Sequence, residues 1–404
     1  MLDVESIRKD FPMLMEKREK PLVYFDNAAT TLKPYCVLDA IKEYYCNYTA
    51  NAHRGDYDLS YKVDTEYEKA RNICANFIGA KKNEVVFTSG TTESANLVAF
   101  SYGLDFINEG DEIVLTEQEH ASNTLPWFKI AKMKKAVIKF IPLENNKVTI
   151  ENVKKTITNK TKILAICHAS NTLGYVNDIK NITKEAHKVG AVVLVDAAQS
   201  VTFMKVDVKE LDCDFLYFSG HKLCGPTGIG VLYGKQELLE KMTPFYEGGG
   251  MNIIYDKSMN VTYKSSPTKF EAGTPKIEAA LGLTAAITYL EKIGLDDIHK
   301  YEIELKKYAL KKLKELDNVE IYNEDSDSNL LIFNIKGVFP QDSASYFNKY
   351  GICVRGGNHC AKLVVGHYVP LNLRCSFSFY NTKEEIDYFV SIAKGGSDFL
   401  DAYF

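Results

Sequence analysis

From Glu84 to Tyr233 the chain alternates short apolar runs with longer segments whose apolar residues recur at helical spacing. The runs are Val85–Phe87, Glu112–Leu115, Lys139–Ile141, Ile163–Cys167, Val192–Asp196, Phe215–Ser219 and Gly230–Tyr233. A continuous apolar run is what a strand presents when both of its faces are covered, as in a parallel sheet. The pattern therefore predicts an α/β fold, with a mostly parallel seven-stranded sheet between layers of helices. A helical stretch, Ile277–Ile293, leads away from this block. From Gly294 onward, helix, strand, helix and strand patterns predict a smaller α+β C-terminal domain. The expected organisation is an N-terminal segment, 1–15, packing on the small domain, a large domain, 16–293, and a small domain, 294–404. Met1–Pro12 reads as a short amphipathic helix without the apolar core of a signal peptide. Gly248–Gly250 and Ser265–Pro267 mark loops.

In open sheets of this kind ligands gather outside the carboxyl ends of the strands, so residues just after the runs are the candidates for chemistry. Lys222 stands where Asp214-Phe-Leu-Tyr-Phe-Ser-Gly-His-Lys222 breaks into a glycine-rich turn. A lysine partly removed from water loses its proton more readily, and its amine can then form a Schiff base with an aldehyde such as pyridoxal 5'-phosphate. Such a group needs a carboxylate for its ring nitrogen, a phosphate cradle and an aromatic cover. Asp196 ends the run Ala191–Asp196 and supplies the carboxylate. Gly90, Thr91 and Thr92 open a helix directly after a strand, where unpaired N–H groups and partial positive charge favour phosphate. Ser219 and His221 flank the turn and can add donors, and His120 is the candidate to stack on the ring. A dinucleotide site is disfavoured because Gly225-Pro-Thr-Gly-Ile-Gly230 has the wrong spacing and precedes a strand.

Composition narrows the partners. The 404 residues carry a formal charge of −4 and a pI near 6.1, without a basic block, so neither nucleic acid nor an anionic membrane is an expected partner. No apolar stretch is long enough to cross a bilayer. Nine cysteines without paired spacing suit free thiols in a reducing, cytoplasmic setting, and no metal cluster is expected.

Two further features lie near the C-terminus. Arg355-Gly-Gly-Asn-His-Cys360 is a polar loop that places histidine and arginine beside a thiol, the surroundings of a reactive cysteine. Arg374 follows fourteen positions later in the strand pattern Leu373–Phe379, where a fixed guanidinium can grip a carboxylate bidentately.

With these residues in view, the chain resembles the class V, fold-type I pyridoxal-phosphate enzymes, and within them the SUF-type (group II) cysteine desulfurases. The resemblance runs over nearly the whole length. It is carried by Tyr24-Phe-Asp-Asn-Ala-Ala-Thr30, Asn51-Ala-His-Arg-Gly55, Thr88-Ser-Gly-Thr-Thr-Glu93, Glu119-His-Ala-Ser-Asn123, His168-Ala-Ser-Asn-Thr-Leu-Gly174, Asp196-Ala-Ala-Gln-Ser200, Ser219-Gly-His-Lys222, Phe270-Glu-Ala-Gly-Thr-Pro275, Arg355–Cys360 and Arg374–Asn381. It implies that L-cysteine is converted to L-alanine with its sulfur left as a persulfide on Cys360. Lys222 would move the α-proton, and His120 would carry protons as well as cover the ring. Asn171 and Gln199 would bond the cofactor or substrate, and Arg355 and Arg374 the substrate carboxylate. Thr274 would reach the phosphate of a neighbouring subunit, which implies a homodimer. The short segment between Cys360 and Arg374 is the mark of the SUF type, and implies a SufU- or SufE-like acceptor protein that carries sulfur to iron–sulfur scaffold machinery. The chain departs from the family pattern at Asn358, at Lys362 and at Gln341, where relatives that use a zinc-containing acceptor have histidine. A selenocysteine lyase, or another class V lyase or transaminase, is the alternative implied activity.

Overall fold

A computed structural model describes residues 2–52, 55–397 and 400; His53 and Arg54 of the Asn51–Gly55 motif lie outside the described residues. Seven strands form the main sheet: β1 (Val85–Thr88), β2 (Glu112–Thr116), β3 (Val137–Ile141), β4 (Thr161–Cys167), β5 (Val192–Asp196), β6 (Phe215–Ser219) and β7 (Gly230–Gly234). Their order is β1-β7-β6-β5-β4-β2-β3. Only β7 runs against its neighbours, antiparallel to both β1 and β6. The other pairings in the sheet are parallel.

The period-2 geometry of a strand divides each apolar run between two cores. Leu164, Val193, Val195, Leu216 and Phe218 point to one face, under the helices Asp58–Phe77 and Ile277–Ile293. Ile163, Ala165, Leu194, Phe215 and Tyr217 point to the other, under Thr91–Val98 and Ala121–Lys134 with fully buried Trp127. Each buried aliphatic or aromatic side chain contributes roughly 1.5–3 kcal/mol. The helix opening at Thr91 continues as a π-helical stretch over Ala99–Gly103.

A second, antiparallel sheet is built from β8 (Val319–Ile321), β9 (Leu330–Ile335), β10 (Arg355–Gly357) and β11 (Asn372–Ser376), in the order β8-β9-β11-β10. Phe333, Phe347, Phe377 and Phe389 form its core with the helices Leu295–Leu313, Pro340–Lys349 and Lys383–Lys394. The N-terminal helix Val4–Lys9 lies across both units. Arg8 donates to the Tyr380 carbonyl at 2.6 Å and pairs with Glu385 at 2.8 Å, and Asp10 accepts from the Tyr289 hydroxyl at 2.7 Å. Among the described residues no helix is long and apolar enough to cross a membrane.

One buried ion pair ties the Phe270–Pro275 segment to the start of the sheet. Arg71, 2% exposed, holds both carboxylate oxygens of Glu271 at 2.6 and 2.8 Å. The same carboxylate accepts the Phe87 N–H at 2.7 Å and the Tyr67 hydroxyl at 3.2 Å. Removing one partner strands the other charge away from water. Arg71→Ala should lower stability by about 3–5 kcal/mol, measured as a fall in the denaturant midpoint. Arg71→Met with Glu271→Gln removes both charges, keeps an acceptor for Phe87, and should recover part of that loss.

Candidate active site

Five strands of the main sheet deliver polar residues to one cavity at their carboxyl ends. Its volume is about 180 Å³. Thr91 and Thr92 come after β1, His120 after β2, Asn171 after β4, Asp196 and Gln199 from the end of β5, and Ser219, His221 and Lys222 from the end of β6. The second sheet closes the cavity with Arg355, Cys360 and Arg374.

At one end the chain turns sharply into the helix that begins at Thr91. Gly90 has φ +151°, and a Cβ there would lie 3.1 Å from the Ser219 hydroxyl. Glycine thus lets the helix N-terminus approach β6. The Ser219 hydroxyl accepts the Thr91 N–H at 2.8 Å and pairs with the Thr91 hydroxyl at 2.9 Å, while Thr92 and Ser122 pair their hydroxyls at 2.7 Å. Two hydroxyl pairs at the positive end of a helix dipole make a cradle suited to an anion.

In the middle, the Lys222 amine faces Asp196. Burial lowers the lysine to about 8 against the opposing pull of Asp196, and the guanidiniums of Arg374 and Arg355 push the same way as burial. Burial raises the Asp196 carboxyl, while Lys222 and the Ala198 N–H, donating at 2.9 Å, resist that rise. His120 caps the helix Ala121–Lys134, its Nδ1 accepting the Ser122 N–H at 3.1 Å. Burial, then Lys222 and the two arginines, lower its ring to about 4, so it is neutral at neutral pH. With Nδ1 already an acceptor, the ring proton resides on Nε2.

At the far end Arg374 sits in β11, 2% exposed and in register with Arg355 on β10. One terminal nitrogen donates to the Asn171 carbonyl at 2.8 Å and the other to Asp26 at 3.2 Å. Among the described residues its Nε has no hydrogen-bond partner, nor does Nδ1 of His359, which is 4% exposed and donates through Nε2 to Asn372 at 2.9 Å. Two orphaned buried atoms of opposite polarity along one wall fit a polar ligand there. Asn171 donates to the His359 carbonyl at 2.8 Å, and Gln199 donates to the Ala28 carbonyl at 3.0 Å. Cys360 is exposed at the cavity wall. All nine cysteines are free, and no group of three metal-ligating side chains occurs among the described residues.

Thr274 alone of the anticipated site residues lies elsewhere, on an exposed turn outside this cavity. The His221 carbonyl points away and accepts from Thr30, Thr31 and Lys33 at 2.8 to 3.1 Å. Sequence reasoning missed Asp26, and named His359 only as a neighbour of the thiol. Asp26 sits inside the Tyr24–Thr30 motif, but its partner is 348 residues away, so only the motif could have marked it.

The aminotransferase class-V family model matches residues 23–389. A probable cysteine desulfurase of Halalkalibacterium halodurans is 48% identical over 398 residues, covering 98% of this chain and 97% of that protein. One from Staphylococcus aureus strain Mu50 is 47% identical, covering 100% of this chain and 98% of that protein. Among solved structures, the apo cysteine desulfurase of Thermococcus onnurineus NA1 superimposes with a TM-score of 0.92 at 40% identity, covering 98% of both chains. The cysteine desulfurase CsdA of Escherichia coli, in its S-sulfonic acid form, gives 0.92 at 35% identity, covering 98% of this chain and 99% of that one. The chain belongs to the aminotransferase class-V family and, within it, to the cysteine desulfurases.

Proposed function

We propose that this protein is a pyridoxal 5'-phosphate-dependent cysteine desulfurase of the SUF type, which turns L-cysteine into L-alanine and takes the sulfur onto Cys360. The observation that carries the reading is that an amine lowered to about 8 and an exposed thiol line one cavity. A transaminase has use for Lys222 and Asp196 but none for Cys360.

The residues fit the cofactor as follows. Thr91, Thr92, Ser219 and His221 would hold its phosphate, Asp196 its ring nitrogen, Lys222 its aldehyde carbon, His120 its ring face and Gln199 its phenolic oxygen. Bound there, it supplies an electron sink for the charge that develops at the substrate α-carbon. Arg374, steadied by Asp26 and Asn171, grips the substrate carboxylate, and Arg355 adds a second positive charge at the exposed side. The neutral Lys222 amine takes the α-proton. The Cys360 thiolate attacks the substrate sulfur; the S–S bond forms, the carbon–sulfur bond breaks, and the electron pair left on carbon is protonated to give alanine. His120, on the cavity wall, would first take up the proton of the substrate thiol and then return it at that stage.

Thr274 completes the phosphate site of a second copy, in a homodimer. The hairpin Asn252–Tyr255 and Val261–Tyr263 supports that arrangement by exposing Ile253, Ile254, Tyr255 and Met259, an apolar set that a partner would cover. A SufU- or SufE-like acceptor protein then collects the sulfur for iron–sulfur assembly in the cytoplasm.

Cys360→Ala should lower alanine formation from L-cysteine by on the order of 10²-fold or more while cofactor absorbance is kept. Retained turnover would favour a lyase that needs no thiol. The rate at which cofactor-free protein takes up pyridoxal 5'-phosphate should rise as pH passes upward through about 8, because Lys222 is then neutral. Stopped-flow absorbance across pH measures this, and Lys222→Ala should remove the reducible link altogether.

A further inference from the structure

Cys360 opens a segment that returns to the sheet at Asn372. Ala361, Val364, Val365 and Val369 are buried against Leu143, Leu173 and Ile332. Apolar packing of this kind is non-directional, so it holds the segment down without fixing its register. Hydrogen bonds do fix it, beginning with the one from Asn171 to the His359 carbonyl just ahead of the segment. The Ala121 N–H donates to the Cys360 carbonyl at 2.8 Å. At the far arm the half-buried Tyr368 donates its hydroxyl hydrogen to the Glu117 carboxylate and accepts the Leu143 N–H at 3.3 Å.

Glu117 and Ala121 bracket His120. One five-residue stretch thus carries the ring and two of the groups that hold the thiol's segment. His359 and Cys360 have φ of 51° and 59°, a conformation that non-glycine residues keep only where their surroundings impose it. The holds supply that imposition from both sides.

We propose that Tyr368, through its bond to Glu117, is a positioning residue that keeps the Cys360 thiol in register with His120 and the substrate sulfur. It is not among the residues that line the cavity and acts through the segment. The proposal rests on the desulfurase reading, in which small displacements of the attacking thiol are expensive.

Tyr368→Phe deletes one oxygen and leaves the packing. The expected result is a fall of about tenfold in kcat for alanine formation, with KM for L-cysteine within about twofold of wild type. A second readout needs no turnover. The rate of Cys360 alkylation by iodoacetamide, followed by the mass of its peptide, should change by about threefold or more as the segment loosens. Glu117→Gln keeps an acceptor oxygen and should behave as wild type in both measurements, whereas Glu117→Ala should match Tyr368→Phe and the double variant should be no worse than either. Unchanged alkylation and unchanged kcat in Tyr368→Phe would overturn the proposal, as would additive effects of the two substitutions. If wild type makes no alanine, the desulfurase reading fails, and the alkylation rates still decide whether Tyr368 sets the position of the thiol.

Discussion

The site depends on one arrangement of charge: a lysine amine held out of water opposite a carboxylate, with guanidiniums on the further side. Burial drives the Lys222 amine toward its neutral form, and the arginines add to that drive. Asp196 opposes it, and the balance leaves the amine at about 8, where both protonation states are accessible near neutral pH. An isolated buried lysine would be driven lower, and one in a close surface pair would stay charged. Neither would serve both as an attachment point and as a base.

That balance can be maintained only if the contributing groups do not move. The main sheet holds Asp196 at the end of β5, in register with Tyr217 of the neighbouring parallel β6, and Lys222 in the turn that follows β6. The second sheet holds Arg374 beside Arg355 by strand register, and Asp26, bridged to Ser376 at the end of β11, pairs with Arg374 at 3.2 Å. The cavity is therefore a product of how the two sheets meet. Contacts such as Asn171 to the His359 carbonyl and Ala121 to the Cys360 carbonyl cross that meeting line directly.

Much of this was legible in the chain because its physical cause is local. The seven runs read as strands because burial on both faces demands apolar residues without interruption, and the observed strands match them to within a residue or two at either end. The direction of β7 was not legible, since periodicity carries no sense of direction. The cavity residues Thr91, His120, Asp196 and Lys222 were found because each ends such a run or lies within a few residues after one. Partners far apart in sequence escaped: Asp26 lies 348 residues from Arg374 and Glu117 lies 251 from Tyr368. Thr274 was named by resemblance alone, and it lies exposed outside the cavity.

The central claim is that Lys222 and Cys360 share a cavity because sulfur passes from the substrate to that thiol. The most direct measurement is the mass of the intact protein, and then of its peptides, after brief exposure to L-cysteine without reductant. The account predicts a gain of one sulfur atom, mapped to the Cys360 peptide and absent without L-cysteine. Alanine formation with Cys360 left unmodified, in a protein whose other thiols are equally unmodified, would contradict it.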